Sequence, residues 1–187
     1  DNDCDGQVDE GCDKDGDKYC DAAMKVAGTP TVCPNTKIAK DGSPGDDCND
    51  APLKNGKAIN PGVGEACDDI DNNCSTVKDE GCDDDNDDYC DSKIAIVGTP
   101  GVCPKGGNDC NDDKAAINPS AVEICDDIDN NCSTKTDEGC DDDGDKYCDG
   151  AMAVVGQPVV CPKTVAVNGK GDDCNDTTPA IMPAAAE

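Results

Sequence analysis

Acidic and amide side chains recur at alternate positions in this chain, a spacing that suits cation binding. In DIDNNCSTVKDEGC, Asp69 to Cys82, oxygens fall at Asp69, Asp71 and Asn73, and an acid follows at Glu80. Counted from Asp69 these are the first, third, fifth and twelfth positions, the side-chain spacing of an EF-hand calcium loop. The stretch recurs as DIDNNCSTKTDEGC, Asp127 to Cys140, and a copy without its first two residues opens the chain as DNDCDGQVDEGC. The expected ligands of this first kind of site are Asp69, Asp71, Asn73, the Ser75 carbonyl and Glu80. Their counterparts are Asp127, Asp129, Asn131, the Ser133 carbonyl and Glu138, and, in the opening copy, Asp1, Asp3, Asp5 and Glu10.

A second pattern, D-x-D-x-D-x-Y-C-D, follows each of these loops. It offers Asp13, Asp15, Asp17 and the Tyr19 carbonyl, then Asp83, Asp85, Asp87 and Tyr89, then Asp141, Asp143, Asp145 and Tyr147. The twelfth position from Asp13 is Met24, so the coordination sphere has to close from elsewhere. The D-C-N-D element is the expected donor, through Asp47 and Asp50, Asp109 and Asp112, or Asp173 and Asp176. Calcium takes six to eight oxygens, which such clusters can supply, whereas magnesium usually keeps several waters. The expectation is about two calcium ions per repeat.

These motifs sit on three copies of one unit: residues 1–70, 71–128 and 129–187. Each reads D-N-[DN]-C, D-E-G-C, an Asp-rich run ending Y-C-D, an apolar segment closing in V-C-P, D-C-N-D, and a tail around Ala-Ile that leads to E-x-C-D-D-I. Cysteine steps of 8, 8 and 13 recur in every copy, while the step from V-C-P to D-C-N-D varies. The variable segments KIAKDGSPG and TVAVNGKG are therefore expected to be exposed loops. The apolar segments AMKVAGTPTVCP, KIAIVGTPGVCP and AMAVVGQPVVCP read as small hairpins around a Gly-x-Pro turn. Nothing has the length and period of a helix. The expected fold is a set of small disulfide-rich, calcium-stabilised tandem repeats, mostly loops with short β-hairpins and little helix.

Composition supports this frame. The chain has 187 residues, no Phe, Trp or His, 17 Cys and a formal net charge of -28. So little apolar material cannot offset the entropy of ordering the chain, roughly 1–2 kcal/mol per residue for the backbone. Cysteine without C-x-x-C or His points to disulfides rather than zinc, and so to a secreted or cell-surface setting. The lack of His also disfavours copper. The expected bridges are Cys67–Cys74, Cys125–Cys132, Cys20–Cys33, Cys90–Cys103, Cys148–Cys161, Cys12–Cys48, Cys82–Cys110 and Cys140–Cys174, although spacing alone leaves other connectivities open. Cys4 is left over, with a partner expected before residue 1.

The acidic charge excludes nucleic acid and anionic membranes as partners. No apolar run approaches a membrane span. Without His or a recognisable nucleophile motif, an enzyme is not expected. N-x-[ST] matches occur at Asn73, Asn131 and Asn175, and glycans on exposed Thr are conceivable. The strings DNDCDGQVDEGC, GDDCND, AINPG and EICDDIDNNC resemble the metal-binding repeats of the MopE-like family of bacterial surface proteins. A looser similarity links them to thrombospondin type 3 calcium repeats. The resemblance implies extracellular metal binding in a structural role; the copper site of the family is not implied, since His and Trp are absent. One departure is Met182, where the other copies have Asn60 and Asn118. The expected function is an extracellular calcium-binding structural repeat in a fibre, stalk or surface-layer array. Its complementary termini would continue head to tail, in one polypeptide or by self-association. The alternative is an adhesin or ligand-binding surface module.

Overall fold

Sixteen non-glycine residues with φ above +50°, most of them Asp, Asn, Thr or Lys in the acidic loops, show how this chain is built: by tight turns rather than by long elements. The computed structural model describes residues 8–37, 42–53 and 55–185. Among these there is no α-helix, only one 3-10 turn at Gly56–Ala58 and two two-stranded sheets. In the first sheet β1 (Lys25–Val26) pairs antiparallel with β2 (Ser43–Pro44). In the second, β3 (Tyr89–Asp91) pairs parallel with β4 (Gly106–Asp109), Tyr89 opposite Gly106 and Asp91 opposite Asp109. The fold is thus a disulfide-rich tandem repeat made mostly of loops.

The chain forms two bodies. One holds residues 1–82 and 94–102, the other 83–93 and 103–187. In place of an apolar core, each has half-cystines with a few aliphatics. Cys20, Cys33 and Val26 cluster in the first; Cys125, Cys140, Cys148, Cys161 and Val154 cluster in the second. Among the described residues, seven disulfides do the work that burial of large side chains does elsewhere.

The connectivity differs from the expected one in a regular way. Cys20–Cys33, Cys90–Cys103 and Cys148–Cys161 are bridged. Cys67 joins Cys82 and Cys125 joins Cys140, not Cys74 and Cys132. Cys74 joins Cys48 and Cys132 joins Cys110, each linking one sequence repeat to the next. The reason lies in the backbone. The Asp79 carboxylate accepts the N–H groups of Asp68 and Asp69, at 2.8 and 3.0 Å, which draws the D-E-G-C segment onto Cys67. Asp137 does the same for Asp126 and Asp127. The Cys67–Cys82 Cα atoms then lie 5.9 Å apart, within disulfide reach. Cys74, at φ +59°, turns toward the Cys48 backbone instead. The expected Cys12–Cys48, Cys82–Cys110 and Cys140–Cys174 bridges are therefore not formed. Cys12 and Cys174 are free thiols, and Cys4 lies outside the described residues.

The apolar segments are not self-paired hairpins either. Each disulfide loop around Gly-x-Pro places its strand against another part of the chain. The Cys67 N–H reaches Ala95 O at 2.9 Å and the Cys67 carbonyl accepts from Val97 at 3.0 Å; Cys125 pairs likewise with Ala153 and Val155. Proline has no N–H to give a ladder, so Pro30, Pro100 and Pro158 keep the return limbs from pairing back. A hairpin does occur in the variable segment of the third repeat. Val167 and Lys170 exchange backbone hydrogen bonds around Asn168-Gly169, both at positive φ. Asn-Gly is the strongest short hairpin signal, and it was available in the sequence. Residues 165–170 are exposed, as a variable loop should be; residues 38–41 of the other variable segment lie outside the description.

Gly171 shows how tightly the D-C-N-D segment seats. A Cβ there would run into the carbonyl oxygens of Cys148 and Asp149. Replacing Gly171 with Ala is expected to cost about 1–3 kcal/mol, the usual range for overpacking, read as a lower denaturation midpoint. Peptide mapping without reduction should recover Cys48 linked to Cys74 and Cys67 linked to Cys82, and no Cys67–Cys74 peptide.

Candidate metal centre

Each repeat holds an acidic cage made by two segments whose backbones pair. Asp13, Asp15 and Asp17 form a turn closed by their own carboxylates. Asp13 Oδ1 accepts from Gly16 and Asp17 N–H at 2.7 and 3.1 Å, Asp13 Oδ2 from Lys18 at 3.1 Å, and Asp17 Oδ1 from Tyr19 at 2.7 Å. Lys18 sits at φ +79°, the sixth position, where an EF-hand loop has glycine. The same bonds recur from Asp83 and Asp141, with Asp88 and Lys146 at φ +75° and +78°.

The second segment is D-C-N-D. Asp47 N–H reaches Cys20 O at 3.0 Å and Asp47 O accepts from Ala22 at 2.7 Å; Asp109 and Asp173 repeat the latter contact with Ser92 and Gly150. This pairing carries the first Asp of D-C-N-D into the cage: ligand oxygens of Asp15, Asp47 and Asp50 lie within 4.8 Å of one another, as do those of Asp13, Asp15 and Asp17, and of Asp83, Asp85 and Asp87. Asp47, Asp109 and Asp173 are completely buried. Asp50, Asp112 and Asp176 sit at the edge, where they also accept backbone N–H groups from the acidic turn; Asp112 takes that of Asp84 at 3.1 Å and Asp176 that of Asp142 at 3.0 Å. In the first repeat Lys14 adds an ion pair to Asp50 at 3.0 Å.

One feature repeats without variation. The second carboxylate oxygens of Asp15, Asp17 and Asp47 are buried and accept no hydrogen bond. So are those of Asp85, Asp87 and Asp109, and of Asp143, Asp145 and Asp173. A buried carboxylate oxygen without a donor costs several kcal/mol unless a proton or a cation meets it. Desolvation accordingly pushes Asp47 up to about 6, opposed by the Asn49 N–H and reinforced by the negative charges of Asp17 and Asp15, and burial also raises Asp15, Asp17, Asp85 and Asp109. Asp112 and Asp176 are likewise driven to about 6 by burial.

The other loop is shifted from its expected register. Ser75 N–H donates to Asp71 Oδ1 and Asn73 Oδ1 at 3.0 and 2.9 Å, and Thr76, at φ +81°, donates to Asp71 Oδ2 at 2.8 Å. These are the bonds that Asp13 makes in the acidic turn, so the loop opens at Asp71 and not at Asp69. Asp69 turns away and accepts from Gly101 N–H at 2.8 Å; Asp127 turns away to Val159 at 2.7 Å. Counted from Asp71, Glu80 is the tenth position and Asp69 lies ahead of the turn. Ser75 Oγ accepts the Val77 N–H at 3.2 Å, and Val77 stands at the seventh position of the shifted loop, where an EF-hand offers a carbonyl. Asp129, Asn131, Ser133 and Glu138 repeat this arrangement. Glu10 is described but Asp1, Asp3 and Asp5 are not.

Asn60 and Asn118 have a turn role that Met182 cannot supply. Their Oδ1 atoms accept from Gly62 and Ser120 N–H at 2.9 Å, and their own N–H groups reach the Asn72 and Asn130 carbonyls of the following repeat. Ile59 and Ile117 beside them are buried.

The donors decide which cation fits. Copper and other soft or borderline ions favour imidazole and thiolate. This chain has no His, and among the described residues only Cys12 and Cys174 are free thiols. Copper therefore does not fit the cages, whose donors are carboxylate, amide and carbonyl oxygens, the set that a hard cation favours.

In metal-free protein, the sign of the pH dependence follows from the raised carboxyls. Protonated Asp47, Asp112 and Asp176 favour the folded state, and that stability is lost as pH rises from the ordinary carboxylate range through about 6. The metal-free Tm should accordingly be higher at pH 5 than at pH 7.5, with disulfides intact; a level or opposite trend in calorimetry contradicts the cage electrostatics.

No curated protein and no solved structure matches the chain. A family model does, described as "Putative metal-binding motif" (Cu-binding MopE), over residues 1–10, 47–80, 109–138 and 173–187. The matched stretches contain the D-C-N-D donors, the shifted loops and the disulfides that join one repeat to the next. Through these recurring stretches, just under half of its length, the chain matches the metal-binding motif of the MopE-like repeat family.

Proposed function

We propose that the protein is an extracellular calcium-binding structural repeat whose in-repeat cages and repeat-joining loops are each filled by calcium. The observation that supports this reading is the set of buried, donor-free carboxylate oxygens at the same three positions of all three repeats. A solvated acidic surface has no reason to bury the same oxygens three times. Calcium suits the count and hardness of the donors, and extracellular modules bind it with Kd of about 10⁻⁴–10⁻³ M. Each site held at a hundred times its Kd adds about 2.7 kcal/mol to the folded state.

Secretion or surface display fits the disulfides, which persist in oxidising compartments. No helix among the described residues is long and apolar enough to cross a membrane. A role in a fibre, stalk or surface layer rests on the quasi-linear logic of the repeats, where each unit is completed by its neighbour. Self-association through further copies of the unit belongs to the same reading, as does the absence of catalysis.

Two measurements test it. Chelation with EDTA should expose residues 13–19, 83–89 and 141–147 to proteases and change the circular dichroism, and calcium should restore both. Unchanged resistance would sink the calcium account. Replacing Asp109 with Asn removes a charge from the second cage. Equilibrium dialysis should then show one fewer calcium per chain, with the metal-free Tm unchanged or slightly higher because a donor-free buried charge is gone.

A further inference from the structure

The glutamate of the E-x-C motif was not among the expected ligands. It lies eight residues ahead of Asn73 or Asn131, in the tail of the preceding repeat. Glu123 is only 6% exposed. Its Oε1 accepts the Asn131 N–H at 2.8 Å, which hangs the carboxylate over the loop that opens at Asp129. Its Oε2 is buried and has no donor. From the other side, Glu138 Oε1 accepts from Asn131 Nδ2 at 3.1 Å and from the Ser133 hydroxyl, and Glu138 Oε2 is again buried without a donor. Two carboxylates thus flank one asparagine, each holding one oxygen in reserve. Burial raises the Glu123 carboxyl and the charge of Glu138 adds to it, the repulsion expected of facing anions with nothing between them.

The first body repeats the pattern. Glu65 Oε1 accepts from Asn73 N–H at 2.8 Å, Glu80 Oε1 from Asn73 Nδ2 at 2.9 Å, and Glu80 Oε2 is buried and donor-free. Here Glu65 Oε2 also takes the Asp79 N–H at 3.2 Å. Beside them the Ser75 N–H joins Asp71 Oδ1 and Asn73 Oδ1.

We propose that Glu65 and Glu123 are cation ligands, so that each loop site is shared between two repeats: one glutamate from the tail of the first, and the Asp, Asn, Ser and second Glu from the head of the next. This rests on the calcium reading above and extends it to which residues complete the loop site. The set Asp129, Asn131, Ser133, Glu138 and Glu123, with the carbonyl at the Lys135 position, reaches the six or more oxygens that calcium requires. Without the glutamate the loop falls short, because its own twelfth position is Cys140.

The test uses the full chain and calcium. Glu123→Gln keeps an oxygen to accept the Asn131 N–H and removes only the charge. Calcium bound per chain is counted by equilibrium dialysis and native mass spectrometry, with Asp109→Asn as a parallel variant. In Glu123→Gln, one calcium should be weakened by about tenfold or more, as loss of a charged ligand tunes such sites. The metal-free circular dichroism should stay as in the parent and the metal-free Tm should be unchanged or slightly higher, which separates a ligand from a merely structural residue. If Glu123→Gln binds the same number of ions with the same affinity while Asp109→Asn loses one, the shared site is overturned and the cage reading stands. If the parent chain takes up no calcium, both fall.

Discussion

Carboxylates held out of water with one oxygen each left without a hydrogen-bond donor are the constraint on which the rest of this structure depends. Asp47, Asp109 and Asp173 are fully buried in bodies that have almost no apolar core to bury them in. What shuts out solvent is backbone: the Y-C-D strand on one side and the acidic turn on the other. Folding therefore assembles each cage and generates its electrostatic cost in the same step. A cation in the cage reverses the sign of that cost, and folding and binding become one process.

The disulfides make this arrangement tolerable. Hydrophobic burial per residue is small, so the chain needs another way to limit its unfolded ensemble. Bridges of the Cys48–Cys74 kind span one repeat and the next, and those of the Cys67–Cys82 kind close the loop between them. Half-cystines also fill the interior that aliphatic side chains fill elsewhere. Val26 and Val154 accompany them, while Val155, Val159 and Val165 stay exposed.

Much of this was legible in the sequence, for a physical reason. Alternating Asp in D-x-D-x-D can close on its own N–H groups only one way, so Asp13, Asp15 and Asp17 fold as their spacing implies. The partnership with D-C-N-D was also legible, because the acidic turn lacks a twelfth-position acid and needs an outside donor. The loop register was not. Counting from Asp69 gives a regular EF-hand spacing to Glu80, but local hydrogen bonding overrides the count. Asp79 captures the N–H groups at Asp68 and Asp69, and Asp69 is spun out toward Gly101. The disulfides failed for the same reason: a seven-residue step looks like a natural bridge, yet Cys67 and Cys74 leave that turn in opposite directions. Glu65 and Glu123 were missed because they precede the loop, outside any spacing rule for a continuous binding segment.

The disulfide map has a mechanical consequence. The bridges cover residues 20–33, 48–82, 90–103, 110–140 and 148–161, the overlapping pairs merging into single covered spans. Among the described residues the uncovered intervals are 8–19, 34–37, 42–47, 83–89, 104–109, 141–147 and 162–185. Those intervals hold the acidic turns and the first Asp of D-C-N-D. Under tension, covered spans are short-circuited by covalent bonds, and only uncovered ones can yield contour length, at about 3.3–3.6 Å per residue. The two halves of each cage are thus the stretches that a pull on the chain would draw out first. An ion that clasps them would set the chain's stiffness.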